Sequence, residues 1–339
     1  MLPADGQVPA GEVAMIKTNK DEYDLAFRIV GSVQNDRKLV VCETAFDAHC
    51  ANDARAEVDR ESYLSLFSFT DDFRVHLSSS GSTSGFDGPT WAPILWVDID
   101  GPSKDIAGLT IAIESTRKFV SGAIDRYHLQ DSTLLVFFSG SKGFHIGLPS
   151  SLWNSVPALD YHRRSRNMAE SLALEFGVQI DASVYDRVRA FRAPNSRHPR
   201  TKLHKRRLLI GELMTLSPGE VVELAKSPIA FEFETVTAAN DTATTDWQHA
   251  LTAVVATPEP CVAAGASLNR LTLDFIREGA EVGERNNRLF SAAANLAEFD
   301  CSGPLAEALL TEAARDSGLA PCEIKQTIAA GLAHGGSTT

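Results

Sequence analysis

The sequence predicts an α+β layer over residues 1–235 and a small all-α domain over 269–335, joined by a linker at 236–268. Three observations carry that prediction. From Pro93 to Ile229 strand-like and helix-like periods alternate, the pattern of a sheet with covering helices. Residues 236–268 are rich in Ala and Thr and contain Pro258 and Pro260, the composition of a connector. Beyond them, apolar residues recur only at helical spacing.

The elements follow in order. Residues 1–77 mix short apolar runs with turns, and 78–89 form a Ser/Gly-rich loop. Ile94 to Asp100 reads as a strand. Ile106, Leu109, Ile113, Val120 and Ile124 make a helical stripe. Thr133–Phe138 and Phe144–Leu148 read as two strands around a glycine-containing turn. Residues 158–177 form a helix with Met168, Leu172 and Phe176 on one face, stopped at Gly177. Val178–Val184 and Leu208–Leu213 are expected to be strands, and 218–226 a short helix. In the tail, Leu289, Ala293, Leu296 and Ala297 mark one helix. Leu305, Leu309 and Ala313 mark a second, and Ile324, Ile328 and Leu332 a third that Pro321 starts.

Composition narrows the function classes. Hydrophobic residues at 44% and charged residues at 22% suffice for a core and exclude wholesale disorder. The longest apolar runs, such as Leu134–Phe138, are too short for a bilayer. The first fifteen residues lack a basic start before an apolar block, so no signal peptide is expected. Five cysteines make a disulfide framework an unsuitable reading; the expected location is cytoplasmic, with no membrane partner. The net charge of −12 argues against a phosphate-rich partner, but the charge is uneven. Residues 139–210 carry 13 bases against five acids, and 187–207 hold nine bases and no acid. A polyanion held there would be repelled elsewhere, which confines binding to one region.

Three segments can carry chemistry. In LWVDIDGP (95–102), a strand puts Asp98 and Asp100 on one face, about 7 Å apart along the backbone. Paired carboxylates repel, and a divalent cation such as Mg²⁺ or Mn²⁺ relieves the conflict. The plainer reading is a strand surfacing into a polar turn. In FFSGSKGFHIGL (137–148), Gly140 and Gly143 allow a tight turn whose amides face an anion. Ser139, Lys142 and His145 add a hydroxyl, a cation and an imidazole. That set suits a triphosphate, and no helix follows it as in a P-loop. The plainer reading is a hairpin with a polar tip.

The third segment is 180–207. Asp181 offers a third carboxylate, and Arg187, Arg189 and Arg192 alternate along an extended chain around Phe191. Arg forks hold phosphates and aromatics stack bases, so Arg187, Arg197, Arg200, Lys202 and Lys205 are candidates for nucleic-acid contact. A solvated basic loop is the alternative. Cys42, His49 and Cys50 match no zinc spacing, and no zinc is expected.

The ordered set of Asp98 and Asp100 in VDID, Ser139, Lys142 and His145 in SGSKGFH, and Asp181 in QID resembles the archaeo-eukaryotic primase superfamily, the primase-polymerases. The SGSKGFH run is also similar to the polymerase domain of bacterial end-joining ligases. Residues 283–299 and 318–332 resemble the helical C-terminal domain of phage and plasmid primases. The resemblance covers about 90–330. It implies an α/β layer packed on an RRM-like sheet, with the active site in the cleft between them.

The resemblance further implies a nucleotidyltransferase. Asp98, Asp100 and Asp181 would be the catalytic acids, holding two Mg²⁺ or Mn²⁺ ions ~4 Å apart. Ser139, Lys142, His145, Arg189, Arg192 and His198 would grip the incoming NTP or dNTP. The basic zone would track a single-stranded DNA template, and the helical tail would support de novo priming. A replicative helicase, if one is needed, would come from another chain or domain. Two other readings stay open. One is a gap-filling or end-joining repair polymerase of the same fold. The other is a non-catalytic single-strand- or origin-binding factor. A two-metal nuclease would use the acids but leave the SGSKG turn unexplained.

Overall fold

The computed structural model describes residues 19–233, 238–256, 268–280, 283–299 and 301–335. The chain divides into two compact units, Met1–Pro258 and Glu259–Thr339. In the first unit, strands Leu25–Val30 (β1) and Lys38–Val41 (β2) precede helix Cys42–Cys50 (α1). Strand Ser62–Ser65 (β3) and helix Asp71–Ser80 (α2) follow. Next come strand Ile94–Asp100 (β4), helix Ile106–Tyr127 (α3), strands Leu135–Phe138 (β5) and Gly143–Pro149 (β6), and helix Tyr161–Glu175 (α4). Short strands Ala190–Arg192 (β7) and Arg206–Leu208 (β8) lead to helices Ile210–Thr215 (α5), Pro218–Leu224 (α6) and Asp241–Ala256 (α7).

These strands form two four-stranded antiparallel sheets, β2-β1-β3-β7 and β4-β6-β5-β8. The second sheet has two chemically different faces. Val97, Ile99, Phe144, Ile146, Val136 and Phe138 are fully buried on one, beneath the apolar stripe of α3. The other face carries a cross-strand row set by register: Asp98 opposite His145, His145 opposite Phe137, and Phe137 opposite Arg207. The apolar core on the first face thus fixes where the polar row must lie.

Two expected strands are something else. Val178–Val184 leaves one backbone bond on the outer edge of β4, from the Asp181 N–H to the Asp98 carbonyl at 2.8 Å. It then turns into a 3₁₀ helix at Ala182–Val184, because the Asp181 carboxylate accepts from the Ser183 N–H at 2.9 Å. Leu208–Leu213 ends as a strand at Leu208. The Glu212 carboxylate accepts from the Leu209 N–H at 2.8 Å and starts α5, which buries Ile210 and Leu213.

The expected linker is also corrected over 241–256, which is helix α7. Its Ala243, Trp247 and Ala250 are buried, and Trp247 stacks on Trp153 with centroids 5.9 Å apart. The Arg126 guanidinium clasps Asp246 with two bonds of 2.7 Å, and the Tyr127 hydroxyl donates to the same carboxylate. Ala and Thr there mark a helix facing α4, not a connector. Residues 236, 237 and 257–267 of the expected linker lie outside the described residues, as do 1–18 of the N-terminal segment.

The second unit is helical, as its stripes predict: Arg270–Glu278 (α8), Arg285–Ala297 (α9), Gly303–Asp316 (α10) and Pro321–Gly335 (α11). Phe275, Leu289, Leu296, Leu310, Ile324 and Ile328 make its core. Buried Asn295 accepts from the Asn269 N–H and the Thr272 hydroxyl, which ties α8 to α9. Helix α8 was not among the expected elements, although its Phe275 and Ile276 pack into this core. Among the described residues no helix is long and apolar enough to cross a membrane.

Candidate active site

Asp98 and Asp100 sit at the far end of β4, both on the polar face, because strand alternation and the core on Val97 and Ile99 leave no other placement. Asp98 is 14% exposed, and its Oδ1 is buried without a hydrogen-bond partner. Burial, then the charges of Asp100 and Asp181, push its carboxyl up to about 8. His145 faces it with Nε2 3.6 Å from that Oδ1, too long for a hydrogen bond. Burial and the charges of Lys205 and Arg192 hold the imidazole well below its usual value, so the ring facing Asp98 is neutral. The His145 ring lies on Phe191, with centroids 4.3 Å apart.

The turn between β5 and β6 is shaped for a close approach. Gly140 has φ +84°, and the Ser139 hydroxyl accepts from the Gly143 N–H at 3.3 Å. A Cβ on Gly143 would collide with the carboxylate of Asp100, so only glycine leaves that acid its place. Lys142 pairs with Asp100 at 3.1 Å. The basic loop lies over the same turn: the Thr201 hydroxyl donates to the Gly140 carbonyl at 2.5 Å, and His198 packs by Gly140. Burial and the charges of Arg192, Arg200, Lys104 and Lys202 lower His198 to about 4. The structure thus brings Asp98, Asp100, Asp181, Ser139, Lys142, His145, Arg192 and His198 into one neighbourhood of the first unit.

Other candidates are placed differently. Lys205, expected to touch nucleic acid, is fully buried. Its ammonium lies among the Trp96, Phe137 and Phe191 rings, and that reading is withdrawn. Arg187 donates to the carbonyls of Phe86 and Leu159, tying two loops together. Arg189 pairs with Asp186 at 2.8 Å and donates to the Ser183 carbonyl, bracing the turn that carries Asp181. Arg197 closes its own loop on the Lys202 carbonyl at 3.0 Å, while Arg200 and Lys202 are exposed. Lys104 also bears on the site, because its charge acts on His198. Its position four residues after Asp100, in the DGPSK turn, was the available signal.

Among the described residues, no three His, Cys, Asp or Glu side chains stand as a ready metal-ligand set. The residues still fit a divalent cation in two respects. Asp98 has a buried oxygen with no partner, and Gly143 keeps open the space that the Asp100 carboxylate occupies. A cavity of about 930 Å³ lies between the sheets, lined by Ala26, Leu64, Trp96, Phe191, Arg192 and Lys205 among others. None of the three acids lines it, so the chemistry is placed by the charges and not by this hollow.

No protein-family model and no curated protein matches this chain. Among solved structures, the crystal structure of primase RepB' aligns over 92% of this chain and 91% of that one, with a TM-score of 0.34 and 11% identity. That is a distant likeness, and the meaning of the site rests on its own residues.

Proposed function

We propose that the first unit is a nucleotidyltransferase of the primase-polymerase kind, which builds and extends primers on single-stranded DNA from nucleoside triphosphates. The observation that carries this reading is the juxtaposition of acids and phosphate-binding groups. Asp98 and Asp100 share the β4 face, and the Asp181 main chain is bonded to Asp98. The Ser139–Gly143 turn lies across from them beneath the basic loop. A binder of nucleic acid alone has no use for three repelling carboxylates beside its cations.

In this reading Asp98, Asp100 and Asp181 hold two Mg²⁺ or Mn²⁺ ions. Such ions supply activation of a hydroxyl nucleophile and neutralisation of charge on the attacked phosphate. Lys142 leaves Asp100 to meet the incoming triphosphate, while His145, Arg192 and His198 line its path. Arg200 and Lys202 face the template backbone. The helical unit would support initiation without a primer.

The deciding experiment offers unprimed and primed single-stranded DNA with NTPs or dNTPs and Mg²⁺ or Mn²⁺. Wild type is compared with Asp98→Ala/Asp100→Ala. New short products that vanish in the double variant support priming. Extension of primed template alone selects the gap-filling polymerase, and binding with neither activity overturns the catalytic reading. Removing 269–339 should abolish initiation and spare extension; unchanged initiation removes the role given to the tail.

A further inference from the structure

The hairpin 193–205 that carries the basic loop stands on a frame of buried polar groups. Asn195 takes a left-handed conformation, φ +59°, and is fully buried. Its side-chain amide donates to the carbonyls of His49 and Ile229 at 2.9 and 2.8 Å, and its Oδ1 accepts from the Ile229 N–H. The hairpin closes with Asn195 N–H to the Lys205 carbonyl and Lys205 N–H to the Ser196 carbonyl, both 2.9 Å.

Lys205 ends this frame in an unusual place. Its ammonium is 4.5 Å from the centroid of Phe191 on β7, 4.7 Å from Trp96 on β4 and 4.9 Å from Phe137 on β5. Its hydrogen bond goes to the Arg192 carbonyl at 2.8 Å. A lysine is almost never fully buried unless paired, and no carboxylate lies within ion-pair distance of this one among the described residues. Cation–π attraction offsets only part of the desolvation, so an apolar side chain of the same length would fill this box at lower cost. The three rings come from both sheets, and the bonded carbonyl belongs to Arg192, whose charge acts on both His145 and His198.

We propose that Lys205 is a positioning residue for the nucleotide site. Its side chain ties β7 to the polar face of the β4-β6-β5 sheet and thereby sets Phe191 against His145 and holds the Arg192 backbone beside them. This rests on the proposed function, since the group it positions is the triphosphate-binding Arg192. It also explains why a hydrogen-bond donor, and not a methionine, stands in the box. A single hydrogen bond pins the Arg192 backbone at one point, which apolar packing alone does not do.

The test is a double-mutant cycle on binding. The affinity for a non-hydrolysable α,β-imido deoxynucleoside triphosphate with Mn²⁺ is measured for wild type, Lys205→Met, Arg192→Ala and the combined variant. Melting temperature and single-stranded DNA affinity are measured beside it. Lys205→Met is expected to weaken nucleotide binding about tenfold with DNA affinity unchanged, its melting temperature equal to or above wild type, and the combined variant no weaker than Arg192→Ala alone. Phe191→Leu opens the box from β7 and should weaken nucleotide binding likewise. It carries the same comparison if Lys205→Met does not fold. Wild-type affinity in both variants, or effects that multiply in the combined one, overturn the assignment of Lys205 while leaving the proposed function standing. A wild type that binds no triphosphate overturns both.

Discussion

The main-chain N–H of Asp181 donates to the carbonyl of Asp98 at 2.8 Å, so the third acid is delivered to the first two by a backbone bond on the open edge of β4. Substituting either side chain leaves that bond intact, and the chemistry of the carboxylates can be tested apart from their placement. Asp98→Asn removes a buried charge that Asp100 and Asp181 repel. Its stability at pH 8 is expected to be unchanged or higher by about 1–4 kcal/mol. Primer synthesis is expected to fall on the order of 10³-fold. Denaturant unfolding and primer assays of the same sample check both. A loss of activity accompanied by a loss of stability would mean that Asp98 is a structural residue.

Gly143 predicts a second separation. A methyl group there meets the Asp100 carboxylate and the Ile99 carbonyl, while one on Gly219 meets nothing within 4 Å. Gly143→Ala should cost about 1–3 kcal/mol through overpacking and weaken Mn²⁺ binding with it. Gly219→Ala, on the first turn of α6, should be neutral or slightly stabilising. Titration of Mn²⁺ into the two variants distinguishes a displaced Asp100 from a general loss of fold.

Lys142 and the exposed loop cations should fail in different ways. Lys142 is paired with Asp100, and Arg200 and Lys202 are exposed on the loop above the turn. Lys142→Ala is expected to raise KM for the nucleotide about tenfold with little effect on DNA affinity. Arg200→Ala and Lys202→Ala should each weaken DNA binding and reduce the slope of log affinity against log salt by about 1. Equal effects of all three on the salt slope would place Lys142 on the template instead.

The sequence made the β4–β6 pair and the helical unit legible because each has an unbroken period. Alternation puts Asp98 and Asp100 on one face, and three-to-four spacing marks Leu289, Leu296, Ile324 and Ile328 as core. Boundaries set by single side-chain bonds were not legible. Asp181 caps a 3₁₀ turn where a strand is expected, Glu212 starts a helix, and Asp246 locks a Thr/Ala-rich segment that composition assigns to a linker. Lys205 shows the limit on the site. Within a run of nine bases, nothing in one dimension separates the lysine that enters an aromatic box from those that reach solvent.

Buried histidines should make the protein acid-sensitive. Burial and the charge of Arg28 lower His49 to about 4, and the ring stays bonded to the Pro194 carbonyl at 3.0 Å. The unfolded chain binds this proton near pH 6.5 while the folded chain does not. Stability is therefore full above pH 6.5 and is lost as pH falls toward 4. His49 alone accounts for about 2 kcal/mol between pH 6.5 and 5. His162 and His198, also lowered to about 4, act in the same direction. Urea midpoints measured over that range should fall with acid, and His49→Gln, which keeps a donor for Pro194, should flatten the slope. A slope unchanged by His49→Gln would exclude His49 as the acid trigger.

Asp246 decides whether α7 belongs to the first unit energetically as well as spatially. Its carboxylate accepts three bonds, two from Arg126 and one from Tyr127, and is 14% exposed. Arg126 also pairs with Glu175 at the end of α4, so one cation joins three helices. Asp246→Ala leaves Arg126 and the Tyr127 hydroxyl without that acceptor. A loss of about 3 kcal/mol is expected, more than a surface pair contributes and typical of breaking a half-buried network. Asp241→Ala, on the exposed first turn of the same helix, should cost less than about 1 kcal/mol. Chemical denaturation of the full chain compares them. If Asp246→Ala is as mild as Asp241→Ala, α7 is held by Trp247 packing alone and the Arg126 clasp contributes nothing.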